Sequence, residues 1–235
     1  MQMNALAQEY QRLLQDNKRL MEQLEEQTSL FRLCTHQLKN PLIGLFFNVN
    51  RYREDPTAER QESIQEQCKT ISHMLSRMMF LSSLNHDVHY ERQHIEIDLL
   101  CKDLYASTQG QDSRHTFLYH DRTSTAPAVA VVVKDLIIEA LSILLHNAAT
   151  YTPAGSTITL TIRRDPRQIT IIIEDNGPGV PDAVLAHLGK PLEDTAGSGL
   201  GLSIVDKIAR IHHGSFSLSN KPSGGAQAVL VLPLA

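Results

Sequence analysis

The stretch QITIIIEDNGPGV (168 to 180), followed about twenty residues on by GSGLGLSIV (197 to 205), decides how this chain folds. The first half is a β-branched apolar run, the composition of a buried strand. It ends at Asp175, after which Gly177 and Gly179 let the backbone bend tightly and approach a ligand with no side chain intervening. Turns of this composition close many ordinary strands, so the motif gains weight only from its neighbours. The second stretch is rich in glycine and opens a helix, an arrangement in which free N–H groups and the helix dipole hold phosphate. Upstream, NAATYTP (147 to 153) ends a helix with an Asn and an aromatic.

Working outward, HIEI (94 to 97) and STITLTI (156 to 162) read as further strands. Helical segments lie around Asp98 to Ser107, Lys134 to Ala149 and Leu200 to Ile211. RRDPR (163 to 167) contains Asp-Pro and is short enough for an antiparallel hairpin. The pattern predicts a mixed-sheet α/β domain with helices on one face.

Before about Tyr90 the texture is helical. From Met3 to Phe31 apolar residues recur at heptad spacing, with Leu6, Leu13 and Leu20 on one position and Tyr10, Leu24 and Phe31 on its partner; Asn17 lies in the seam, a register-fixing device of two-stranded coiled coils. Leu38, Leu42, Leu45 and Val49 continue the helix with steps of 4, 3 and 4 until Asp55-Pro56, where Pro suits the first turn of a new helix. A second stripe, Ile64, Cys68, Ile71, Leu75 and Met78, completes an antiparallel hairpin. One hairpin cannot close a core, so a homodimeric four-helix bundle is expected. At 100° per residue His36 and Asn40 point away from the stripe, and Pro41 removes a helix hydrogen bond within about one turn of His36.

Composition narrows the function classes. Hydrophobic residues make up 42% of the chain and charged ones 20%, so a core can be buried. With a net charge of -4 and scattered Lys and Arg, neither nucleic acid nor an anionic membrane surface is an expected partner. Cys34, Cys68 and Cys101 form no CxxC and read as small core residues in a reducing compartment. The longest apolar run, Ala126 to Val133, is too short to cross a bilayer.

THQLKNPL (35 to 42) resembles the phosphoacceptor box of sensor histidine kinases. NAATYTP, EDNGPGV and GSGLGLSIV resemble, in order and spacing, the N, G1 and G2 boxes of the ATPase fold shared by histidine kinases, type II topoisomerases, the heat-shock protein 90 family and mismatch-repair ATPases. HHGSFSLSN (212 to 220) and GGAQAVLVLPL (224 to 234) look like its closing strands. The resemblance implies a coiled-coil linker at 1–27, a dimerisation and phosphotransfer domain at 28–90, and an ATP-binding domain at 91–235. It implies that His36 attacks the γ-phosphate of ATP, that Gln37 orients the ring, and that Asn40 orients the water that dephosphorylates a partner response regulator receiver domain. Asp175 would accept from the adenine amino group, Asn147 would hold Mg²⁺, and Tyr151 would pack beside the nucleotide. Gly177, Gly179, Gly197, Gly199, Leu200 and Gly201 would shape the pocket. A cytoplasmic place is expected, as the inner part of a membrane sensor.

The chain also departs from the family pattern. Gln37 stands where an acid is usual, Ile143 where a second N-box Asn is usual, and Thr150 where a Lys is usual; Lys190 is the nearest candidate for the lost charge. Those losses keep a kinase-weak regulatory scaffold in view as an alternative. Ile143 also lacks the Glu base of the fold's DNA- and client-directed relatives.

Overall fold

The computed structural model describes residues 2–84, 90–123, 127–186 and 200–235. The chain divides into two compact units, Met1–Ser76 and Arg77–Ala235. The division falls inside a helix, short of residue 90, because Leu81 and Leu84 at that helix's end are buried in the second unit.

The first unit is a helical hairpin. Helix α1 spans Gln2–Glu54 and runs through Pro41; α2 spans Ala58–Ser83, of which the first part belongs here. Pro56 lies outside α2, not in its first turn. Thr57 caps that helix instead, its hydroxyl oxygen accepting the Arg60 N–H at 3.4 Å and its carbonyl the Gln61 N–H at 3.1 Å. Arg60 locks the turn by donating to the carbonyls of Arg51 (3.0 Å) and Asp55 (2.8 Å). Deeper in the hairpin Asn48 donates to Ser63 at 2.9 Å, and Gly44 leaves room for the Gln67 amide. The expected stripes stay half bare in a single chain: Leu42 is 48% exposed and Leu75 45%. Phe46 and Phe47 are likewise exposed. Cys68, on the stripe expected to face a second hairpin, is exposed too in the single chain. Cys101 is buried as expected, and burial pushes its thiol pKa up.

Among its described residues the second unit carries a five-stranded mixed sheet in the order β2-β4-β5-β7-β6. The strands are β2 (Thr116–Arg122), β4 (Thr157–Arg164), β5 (Gln168–Asp175), β6 (Ser215–Asn220) and β7 (Ala226–Pro233). β2 runs parallel to β4, and the other neighbours pair antiparallel. The β4–β5 hairpin closes on Asp165, whose carboxylate accepts the N–H groups of Arg167 (2.8 Å) and Gln168 (2.9 Å). β1 (Gln93–Glu96) does not join this sheet. It pairs with β3 (Val129–Val132) as a separate antiparallel ribbon, and Ile97, read as strand from HIEI, already begins α3 (Ile97–Gln111).

Strand alternation fixes which face is buried. Register aligns Leu160, Ile173 and Ala228 in one row and Ile162, Ile171 and Leu230 in the next, all buried. Helices α3, α4 (Lys134–Tyr151) and α6 (Leu200–Ile211) line up against the strands in that sequence. α4 contributes Ile137, Leu141 and Leu144 to the core, and α6 contributes Ile204, Val205 and Ile208. A short helix, α5 (Asp182–Leu185), follows the turn after β5.

Candidate active site

The same alternation that buries Ile171 and Ile173 carries Asp175 inward, at the end of the buried face where the hydrophobic rows stop. Its partner across the ladder is Ile158, and it is 8% exposed. Oδ1 accepts two backbone N–H groups, Gly177 at 2.8 Å and Ala226 at 3.2 Å. No hydrogen bond reaches Oδ2 from the described residues, so one carboxylate oxygen anchors the turn while the other remains an acceptor without a partner. Gly225, at φ +84°, lets the β7 side pass against the Asp175 carbonyl, which a Cβ there would strike.

The turn after Asp175 is held from three sides. A Cβ on Gly177 would lie 2.5 Å from the Thr152 methyl, so this position accepts only glycine. Asn176 accepts the Thr157 N–H at 2.7 Å. Gly179 has φ +84°, and its missing side chain gives way to Asn220. From the end of β6, Asn220 accepts the Val180 N–H (2.7 Å) and donates to the Val180 carbonyl (2.8 Å), pairing with it as another strand would.

α4 and α6 meet beside this turn. A Cβ on Gly201 would stand 3.0 Å from the Ile143 side chain and 3.8 Å from Asn147 Nδ2. Asn147 is half-buried and has no hydrogen bond among the described residues. Tyr151, the last residue of α4, is exposed. Thr150 turns back along its own helix, 3.3 Å from His146 Nε2. Leu200, the first residue of α6, is fully buried.

Two buried histidines brace these elements in different ways. His212 donates from Nδ1 to the Ile208 carbonyl (2.8 Å) and accepts the Val133 N–H at Nε2 (2.9 Å), tying the end of α6 to the start of α4. That pairing needs the neutral ring. Burial lowers its pKa, and the charges of Arg92 and His213 push the same way against the raising effect of the Ile208 bond. His115 instead faces two acceptors, Asp112 Oδ2 at 2.8 Å and the Thr152 carbonyl at 3.3 Å. Burial alone would raise the Asp112 carboxyl; bonds from His115 and the Arg114 N–H, with their charges, outweigh it and hold the carboxyl below its ordinary value.

Residues 132–235 match the family model described as histidine kinase-, DNA gyrase B-, and HSP90-like ATPase. The chain is 25% identical over 248 residues to the adaptive-response sensory kinase SasA of Microcystis aeruginosa, an alignment covering 97% of this chain and 65% of SasA. It is 29% identical over 214 residues to the sensor protein QseC of Escherichia coli, covering 83% of this chain and 45% of QseC. This chain is a homologue of sensor histidine kinases. It spans less than two thirds of the length of either relative. The histidine kinase ThkA, solved in complex with the response regulator protein TrrA, shares the fold with a TM-score of 0.75 at 17% identity, covering 93% of this chain and 64% of that one.

Seen as a histidine kinase homologue, the chain gathers Asn147, Asp175, Gly177, Gly179, Leu200 and Gly201 around the meeting of α4, β5 and α6 in one unit. Lys190, Gly197 and Gly199 lie outside the described residues. His36 and Gln37 are in α1, and their side chains lie outside those described; Asn40 on the same helix is exposed. Sequence reasoning missed Thr152, Asn220, Gly225 and the His115–Asp112 pair. Thr152, Asn220 and Gly225 left a trace, inside the quoted segments 147–153, 212–220 and 224–234, with no role given to them.

Proposed function

We propose that this chain is the catalytic core of a sensor protein-histidine kinase, which takes the γ-phosphoryl group of ATP onto His36 and passes it to an Asp of a response regulator. The observation that carries the reading is Asp175: a buried carboxylate with one oxygen spent on the turn and the other open. Such an oxygen only accepts, which suits the exocyclic amine of adenine and excludes a carbonyl in its place. Gly177 and Gly179 keep side chains out of that space, and Tyr151 packs beside the nucleotide.

The phosphates are placed toward the first turn of α6, beside Gly197, Gly199, Leu200 and Gly201, because the N-terminal end of a helix favours an anion. Asn147 fits a magnesium site: its amide has no other partner, and Mg²⁺ commonly takes one or two protein oxygens, the rest of its shell being phosphate and water. Bound there, the ion would offset triphosphate charge. A ring nitrogen of His36 attacks the γ-phosphorus, the bond to the β-phosphate bridging oxygen breaks, and ADP leaves. The ring's other N–H must be held meanwhile, and Gln37 offers its amide oxygen. Asn40 positions the water that hydrolyses the phosphoryl group from the regulator.

The half-bare stripes of the hairpin support a homodimer, and a cytoplasmic place within a membrane sensor belongs to the same reading. A second reading is favoured by Ile143, which is 2% exposed and packed on Gly201 where a second Asn would ligate: a kinase-weak regulator that binds nucleotide and acts chiefly by dephosphorylating or docking its partner. A single-turnover reaction with Mg-ATP separates the two. Kinase activity gives one ADP per phosphorylated chain, whereas the scaffold retains ATP unchanged.

A further inference from the structure

Arg77 is the basic residue that the site's departures leave unexplained. It is half-buried near the end of α2, within the second unit. Its Nη1 stands 3.9 Å from where a Cβ on Gly201 would be, and Asn147 Nδ2 stands 3.8 Å from the same point. Neither the Arg77 nor the Asn147 side chain has a hydrogen bond or ion pair among the described residues. The first turn of α6 holds no acid, and the helix's own carboxylate, Asp206, pairs with Arg210 at 2.9 Å.

This arrangement runs against ordinary electrostatics. The N-terminal end of a helix carries partial positive charge and disfavours a cation. A guanidinium brought there, with an amide N–H₂ near it and no acid paired to it among the described residues, lacks a counter-charge from its described neighbours. An anion among them reverses the sign of each of those interactions.

We infer that Arg77 binds the phosphate chain of the nucleotide at the start of α6, supplying the cation that Thr150 does not. The inference rests on the reading of this site as a nucleotide pocket. Thr150 is neutral and bonded back to His146, so the usual N-box charge is absent from α4. The planar fork of Arg77 takes phosphate oxygens in pairs. A Cβ at Gly201 would press on the Ile143 side chain at 3.0 Å and meet Arg77 Nη1 only at ordinary contact distance, 3.9 Å. Arg77 is thus a nucleotide-contacting residue contributed by α2, a helix outside the three boxes.

Calorimetry on the whole chain with Mg-ATP, Mg-ADP and adenosine tests this, comparing the parent with Arg77→Gln and Arg77→Lys. Loss of one charge-assisted contact at a half-buried site predicts ATP and ADP binding weaker by about tenfold in Arg77→Gln, with Arg77→Lys between it and the parent. Adenosine, which has no phosphate, is expected to bind both proteins alike. The nucleotide-free melting temperature is expected to stay level or rise, because a cation has left a positive helix end. Unchanged ATP affinity in Arg77→Gln overturns the inference. So does an equal loss for adenosine, or a lowered melting temperature without nucleotide, since either assigns Arg77 to packing. If the parent itself binds none of the three ligands, the pocket reading fails first and takes this one with it.

Discussion

Replacing Asp175 by Asn tests the pocket with little disturbance to the fold. The two residues have the same shape, and the amide oxygen can still accept the N–H groups of Gly177 and Ala226, so the turn is expected to keep its geometry. What changes is the open end, where an amide nitrogen replaces Oδ2 and a donor then faces the adenine amino group. A hydrogen bond to a charged partner contributes about 1.5–3 kcal/mol, and at about 1.4 kcal/mol per decade its loss weakens ATP binding roughly 10- to 100-fold. Inosine triphosphate supplies the internal control. Its carbonyl replaces the amine, so the amide introduced by Asp175→Asn would donate where the parent carboxylate repels, and the preference for ATP over ITP should collapse or invert. Calorimetry with both nucleotides, beside a melting curve of each protein, measures all of this. ATP affinity equal to the parent's, or ATP and ITP weakened in the same proportion, would refute the assignment of Oδ2 to the base and leave Asp175 as a support for the turn alone.

Light scattering at micromolar concentration should give twice the 26.3 kDa chain mass, and Leu42→Asp should return it to the monomer; a monomeric parent would contradict the paired hairpins. Stability should depend on pH through His212. Its folded pKa is lowered, so the unfolded chain takes the proton first: the contribution is complete above the unfolded value of about 6.5 and is lost as pH falls from there through the folded value. Urea titrations from pH 8 to 5 should therefore show a decline that is shallower in His212→Gln. Gln37→Glu should raise the rate of autophosphorylation by about tenfold or more at saturating ATP, general-base assistance being worth about 10² to 10⁴, without altering ATP affinity; an unchanged rate would move the limiting defect to Ile143 or Thr150.

Periodicity made most of the fold readable. The runs at 156–162 and 168–175 announce central strands because both are buried on one face and bounded by turn residues, and Asp165 closes their hairpin as Asp-Pro suggests. β1 reads as a strand with no sheet assigned to it, for a physical reason: a four-residue strand has the same local signature whether it joins the main sheet or a separate ribbon, and only its partner Val129–Val132 decides. Within the site, the motif residues were readable because glycine and carboxylate chemistry is local. Asn220 was not, since its role depends on meeting Val180 forty positions away in sequence. Arg77 was hidden likewise: an Arg on a helix surface has no local mark of the glycine it approaches.

The central claim is phosphoryl transfer to one imidazole. Whole chain incubated with γ-labelled Mg-ATP, quenched, and digested for mass spectrometry should carry label on the peptide containing His36. The linkage should be stable to base and labile to acid, and His36→Gln should carry none. Label that survives acid, or that persists in His36→Gln, would contradict a histidine kinase. ATP bound with no label on the parent would leave the nucleotide-binding regulator as the reading that stands.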